Sequence, residues 1–146
     1  MLLIEHILSL KPVTGTTILI ILFIATASYV RNVNGSRYIS VALFVSLAFA
    51  LYATVYGNHI HFVAGCSIAA CICIAGESME CKAIASLYAA RVLLSVFVEL
   101  DAMSMNTMWS LNLLFLWLQL IIAGGTIAPE SGRKKISTFA SNLLSR

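Results

Sequence analysis

Residues 108–128 read MWSLNLLFLWLQLIIAGGTIA, a segment of 21 residues that contains no charged side chain. A helix rises about 1.5 Å per residue, so about 20 apolar residues suffice to cross roughly 30 Å of hydrocarbon. The segment ends near Gly124-Gly125 and is followed by Pro129 and a basic run. This stretch therefore predicts a transmembrane helix.

The remainder of the chain has the same character. Of its 146 residues, 60% are hydrophobic and 10% are charged, and the mean hydropathy is +0.96. A soluble domain is about 25% charged, so water cannot be the main solvent of this chain. Four more apolar segments precede residues 108–128 in the chain, at residues 13–30, 38–56, 60–76 and 83–98. The sequence predicts an all-α integral membrane protein, a polytopic bundle of about five transmembrane helices within residues 13–128, with short loops.

The segment at residues 83–98 carries Arg91 in its middle, and an arginine at mid-bilayer costs at least about 2.5 kcal/mol on insertion scales. The positions of the basic residues nevertheless favour a membrane crossing by this segment. One basic cluster follows the first span and a second follows the fifth: Arg31 with Arg37, and Arg133, Lys134 and Lys135 with Arg146. The positive-inside rule places both in the cytoplasm, so an even number of crossings must separate them. Five spans follow, with the N-terminus outside and the C-terminus inside.

Both ends of the chain predict segments at the membrane surface. Residues 1–12 mix apolar residues with Glu5, His6 and Lys11, which is typical of an interfacial amphipathic segment. Residues 129–146 form a basic amphipathic tail on the cytoplasmic side, with apolar residues at helical spacing. We expect the cationic side chains of this tail to contact the anionic inner leaflet: Arg133, Lys134, Lys135 and Arg146.

The fourth segment has one polar side. Residues at separations near whole helical turns form a stripe along it: Glu80, Tyr88, Arg91, Ser95 and Glu99. The functional interpretation is a conduit or an inter-helix interface lined by this stripe. The alternative is a buried ion pair that orders the bundle, in which Glu77, Glu80 or a carboxylate of another subunit is the partner of Arg91.

The fifth segment carries Asn112 and Gln119, seven residues apart and so on one face. This spacing predicts inter-helix hydrogen bonds, each worth about 0.6 to 2 kcal/mol in a membrane.

Metal and cofactor sites are not expected. The four cysteines lie in or beside one apolar run at spacings that match no closed zinc site: Cys66, Cys71, Cys73 and Cys81. We interpret them as apolar packing residues. His59 and His61 flank Ile60, and this alternate spacing does not put both on one helical face, although a turn would bring them together for a haem or redox role.

The chain has no catalytic triad, phosphate-binding glycine loop or zinc-protease motif, so no enzyme is expected. Our first hypothesis is a small non-enzymatic, channel- or translocation-type component of the bacterial inner membrane that oligomerises or joins a larger complex. The lipid bilayer is its other partner, and nucleic acid is not expected. One alternative is a membrane-permeabilising protein that resembles phage holins in its outward N-terminus, short loops and polybasic tail. The other alternative is a haem-binding or redox membrane subunit.

Overall fold

The computed structural model describes residues 12–33 and 35–128, together with residues 138 and 142. In the first two ranges the chain forms five α-helices and no strand: α1 Pro12–Arg31, α2 Ser36–Tyr56, α3 His59–Ala75, α4 Met79–Glu99 and α5 Met105–Ile127. The all-helical prediction is confirmed for this part of the chain. The predicted interfacial segment before Pro12 lies outside the described residues, and so do the four basic residues of the predicted tail.

Short polar or glycine-containing connections end one helix and begin the next. Gly57 adopts a left-handed conformation (φ 63°) where α2 ends, and the Asn58 side chain then accepts a hydrogen bond from the backbone N–H of Ile60. Ser78 and Ser104 cap α4 and α5 in the same manner. Because these connections are only a few residues long, consecutive helices run antiparallel.

The five helices close into a ring. Each helix packs against the next one along the chain, and α1 also packs against α5. The Arg31 guanidinium at the end of α1 donates to the carbonyl of Ile127 at the end of α5. The same end of the bundle contains Gly35, whose carbonyl lies 3.4 Å from the Cys81 thiol near the start of α4. We call it the Gly35 end, and the opposite end, where α2 joins α3 and α4 joins α5, the Gly57 end.

The outer surface of the ring is apolar and its interior is partly polar. Leu19, Phe23 and Ile60 are each about 70% exposed, whereas Ser28 and Gln119 have no exposed surface. A protein folded in water has the reverse tendency, because its large apolar side chains are the residues most often buried. Three helices, α2, α4 and α5, are long and apolar enough to cross a membrane, while α3 and the described part of α1 are apolar but shorter. The fold is thus compatible with a membrane protein.

Most of the hydrophobic core lies in the half of the ring toward the Gly35 end. Its buried members come from all five helices and include Ile21, Ala25, Ile39, Leu43, Ala69, Cys73, Ile84, Tyr88 and Ala123. The half toward the Gly57 end contains a cavity instead.

Candidate functional site

Arg91 lies where the core meets the cavity. It is the thirteenth of the 21 residues of α4, and only 6% of its surface is exposed. Its Nε donates to Asn112 Oδ1 at 3.1 Å, and its Nη1 donates to Gln119 Oε1 at 2.9 Å. Because Asn112 and Gln119 are two helical turns apart on α5, one guanidinium joins two levels of the neighbouring helix.

Two aromatic rings flank the guanidinium. Its Cζ lies 5.2 Å from the centre of the Phe62 ring on α3 and 5.6 Å from that of Tyr88, one turn earlier on α4. Both distances are within the roughly 6 Å over which the face of a ring attracts a cation. The Tyr88 hydroxyl is held in turn by the Ser46 hydroxyl of α2, at 2.8 Å. Side chains from four helices therefore fix the environment of this one charge.

No carboxylate among the described residues pairs with Arg91. The ion-pair alternative with Glu77 or Glu80 is thus not present within the described part of the chain. Glu80 is half-buried near the start of α4, and Glu99 is exposed at its end, eight residues or about 12 Å along the axis from Arg91. The buried cation meets only neutral amide oxygens and ring faces.

The cluster has more hydrogen-bond donors than acceptors. A guanidinium only donates, so the amide oxygens of Asn112 and Gln119 must face it and their amide nitrogens must point elsewhere. Both nitrogens, Asn112 Nδ2 and Gln119 Nε2, are buried without a hydrogen-bond partner. Leaving such a group unsatisfied costs about 1–3 kcal/mol. Of the five N–H bonds of Arg91, two are used in the hydrogen bonds above.

A cavity of about 370 Å³ adjoins this cluster, with residues from all five helices in its wall. Arg91, Asn112 and Ser46 supply polar groups, and Thr54 and Trp109 lie nearer the Gly57 end, where both are exposed. The rest of the wall is mainly aliphatic: Ile18, Ile21, Leu43, Leu47, Ala50, Leu51, Leu113 and Leu116. The site is a small apolar chamber with a cation and amide groups at its inner end.

The predicted polar stripe of α4 divides into two parts. Tyr88, Arg91 and Ser95 are buried inside the ring, and Ser95 donates back to the Arg91 carbonyl of its own helix at 3.3 Å. Glu80 and Glu99 do not join them. The structure instead brings Arg91 together with the two α5 amides, which sequence reasoning identified separately.

Sequence reasoning missed Phe62 and Ser46. Phe62 is one apolar residue among many in α3, and Ser46 is one of several hydroxyl residues in the spans, so neither carries a signal in its spacing.

The histidines and cysteines form no joint site. The His59 ring stacks on Phe62 at 6.0 Å between centroids, whereas His61 meets the edge of Tyr52 at 4.7 Å. All four cysteines are free thiols, and only Cys71 is exposed. Among the described residues, no group of three or more His, Cys, Asp or Glu side chains is placed to hold a metal ion.

No protein-family model matches the chain, and neither a curated protein nor a solved structure matches it.

Proposed function

We propose that this chain is a small non-enzymatic membrane protein that crosses the bilayer five times and binds an anionic solute in its helix ring as a translocation-type component. It works as a homo-oligomer or inside a larger complex of the bacterial inner membrane. The apolar outer surface and the polar interior of the ring support a lipid environment for all five helices. Even the shortest, α3 with 17 residues, is about 26 Å long, near the lower limit for a span.

Charge distribution supports an N-terminus outside and a C-terminus inside. Arg31, Arg37 and Lys82 lie at the Gly35 end, and α5 finishes at this end before the basic tail begins. The Gly57 end carries Glu99 and Asp101. Under the positive-inside rule the Gly35 end faces the cytoplasm, and the chamber opens toward the outside.

The observation that carries the proposed function is the buried guanidinium of Arg91 beside a cavity, without a carboxylate partner. A charged group inside a membrane is costly, and such groups usually mark the path or binding site of a solute. Here the cost is reduced by two amide oxygens and two rings but not cancelled by an opposite charge. A bound anion supplies that charge.

The chamber does not continue through the ring. Toward the Gly35 end, Tyr88, Leu43 and Ile84 are fully buried and fill the centre. Among the described residues this packed half closes the chamber on the Gly35 side, so we expect a solute to reach Arg91 from the Gly57 end, and passage to require that the packed half open or that other subunits add a path. This geometry favours a one-sided binding chamber over a permanently open channel.

Substituted-cysteine accessibility tests the chamber and the topology together. In a chain without its native cysteines, Ala50→Cys places a thiol in the cavity wall, while Ala48→Cys places one on the exposed outer face of the same helix. We expect an impermeant, water-soluble thiol reagent added outside to modify the Ala50→Cys thiol and to spare the Ala48→Cys thiol in the lipid.

Two loop variants report the sides of the membrane. Asn58→Cys belongs to the Gly57 end and Glu77→Cys to the Gly35 end. Labelling of both from the same side would overturn the topology. An Ala50→Cys thiol that reacts from neither side would overturn the chamber, and native mass spectrometry in mild detergent would show whether the chain assembles.

A further inference from the structure

We infer that the chamber binds a monocarboxylate of about a dozen non-hydrogen atoms with an apolar body, the chemistry of a medium-chain fatty acid. The inference rests on the proposed function, because it names the solute class of the same chamber. It depends on three features: the charge of the cluster, the direction of its hydrogen bonds, and the size and polarity of the cavity.

Charge selects an anion. Arg91 carries a full positive charge at 6% exposure, and its two hydrogen bonds go to neutral oxygens. A guanidinium does not lose its proton in a protein, so the site cannot neutralise itself. An incoming anion gains a charge-assisted interaction in a region of low dielectric constant, whereas a cation is repelled.

Hydrogen-bond direction selects an acceptor with at least two oxygens. The unused N–H bonds of Arg91 form a planar fork, a geometry that matches a carboxylate. Asn112 Nδ2, which belongs to a wall residue, and Gln119 Nε2 are two further buried donors without partners. A rotation of either amide would turn one of these donors toward a bound carboxylate, whereas an ammonium ligand would bring only further donors to a cluster that already has donors without partners.

The walls select an apolar body. A space of about 370 Å³ holds roughly twelve non-hydrogen atoms if each occupies about 30 Å³, the share of one water molecule. The wall is largely aliphatic, with Phe62 beside Arg91 and Trp109 nearer the Gly57 end. A strongly hydrated inorganic anion would lose its water there without replacement, whereas an alkyl chain gains free energy with each CH₂ group that it buries. Decanoate, with twelve non-hydrogen atoms, fits both the volume and the polar end.

Trp109 supplies a local reporter. Trp117→Phe removes the other tryptophan, which is 40% exposed and absent from the cavity wall. The variant protein, in nanodiscs of zwitterionic lipid, is titrated with 10-bromodecanoate, because bromine quenches tryptophan emission at contact. We expect saturable quenching by the acid and only the linear quenching of partition into lipid by 10-bromodecanol. Arg91→Gln should weaken the saturable component at least tenfold, and Lys82→Gln, which removes an exposed charge, should leave it unchanged.

A second pair of variants keeps the test decisive where Arg91→Gln does not fold. Ala50→Phe places bulk in the cavity and leaves Arg91 itself unchanged, and Ala48→Phe adds the same bulk on the outer face. Saturable quenching should disappear in the first and persist in the second. Equal quenching by the acid and the alcohol would overturn the inference. Equal saturable quenching of the two phenylalanine variants by the acid would also overturn it.

The titration and the thiol labelling together distinguish further outcomes. Displacement of the probe by millimolar chloride or phosphate would show a site for small inorganic anions and would contradict the carboxylate assignment. If the Ala50→Cys thiol is labelled from outside but the acid and the alcohol quench Trp109 equally, the chamber is supported and only the proposed solute class is wrong. Where that thiol is unreachable, the proposed function fails first.

Discussion

Gly65 of α3 faces Phe49 of α2 so closely that a Cβ atom built on Gly65 would lie 2.3 Å from the Cβ of Phe49. Non-bonded carbon atoms are most stable at about 3.5–4.0 Å, so no residue other than glycine fits without moving a helix. The clash involves two Cβ atoms, which no side-chain rotation can separate. Close helix contact through a small residue is also the usual way in which helices associate in lipid.

Gly65→Ala should therefore destabilise the bundle, by about 1–3 kcal/mol as for overpacked cores. The expected result is a lower midpoint of thermal unfolding in detergent, followed by tryptophan emission or by size-exclusion chromatography after heating. Gly124→Ala is the matched control, because a Cβ at Gly124 meets nothing within 4 Å and alanine is the better helix former. Adding Phe49→Gly to Gly65→Ala removes one of the two clashing atoms and should recover part of the loss. Equal midpoints for the two alanine variants would show that α2 and α3 are not held at this distance.

Gly35 and Gly57 both have positive φ, at 75° and 63°, but their surroundings differ. A Cβ at Gly35 would lie 2.9 Å from the Cys81 sulfur, and one at Gly57 meets nothing within 4 Å. Gly57→Ala should cost only the backbone strain, roughly 1 kcal/mol, and Gly35→Ala should cost more. Cys81→Ala should reduce the penalty of Gly35→Ala and leave that of Gly57→Ala unchanged, as measured by the unfolding midpoints of the three single variants and the two double variants. Equal penalties at the two glycines would contradict this contact.

The cysteines should be dispensable for folding. Cys66, Cys73 and Cys81 are buried free thiols and Cys71 is exposed on the outer surface. Replacing all four by alanine or serine, with serine at position 81 to keep a donor toward Gly35, should cost no more than about 1 kcal/mol per buried site. The variant should accumulate and elute as the wild type does in size-exclusion chromatography. A stoichiometric metal in the wild type that is lost from the variant would refute the packing role. In the native fold in detergent, Cys71 should react with a thiol reagent before the other three.

The sequence was sufficient to predict the helices because hydrophobic length is a local property. Each of the five apolar segments corresponds to one helix, and the polar turns at Gly57 and Ser78 fall where the sequence breaks the pattern. The spacing of Asn112 and Gln119 predicts that they share a face of α5, and both accept hydrogen bonds from Arg91. Such features depend on residues within one or two helical turns, which the sequence displays directly.

The partner of Arg91 could not be predicted in this way. Helical spacing relates Arg91 to Glu80 and Glu99 along α4, but its hydrogen bonds cross to Asn112 and Gln119 on α5. Which helices become neighbours, and at what height each side chain meets the next helix, depends on close approaches such as that at Gly65. The cavity likewise exists only once five helices close into a ring.

Substitutions of Arg91 and its two amide partners separate a structural role of this residue from a functional one. Arg91→Leu removes the charge but leaves the amides of Asn112 and Gln119 buried without their partner, so we expect a loss of about 1–3 kcal/mol for each oxygen left unpaired. Arg91→Lys keeps the charge and loses the fork that spans two turns of α5, so it should be destabilised less than the leucine variant and still respond to the acidic probe.

The triple variant Arg91→Leu, Asn112→Leu, Gln119→Leu replaces the whole polar cluster by side chains of similar bulk. Buried polar clusters exchanged in this way often leave stability unchanged or higher, so the triple variant should unfold at or above the wild-type midpoint. It should also lose the saturable response to 10-bromodecanoate, because this response depends on the charge and not on the packing. A triple variant that retains the probe response would show that the cluster only joins α4 to α5. One that is less stable than Arg91→Leu alone would show that the three residues do not act as a unit.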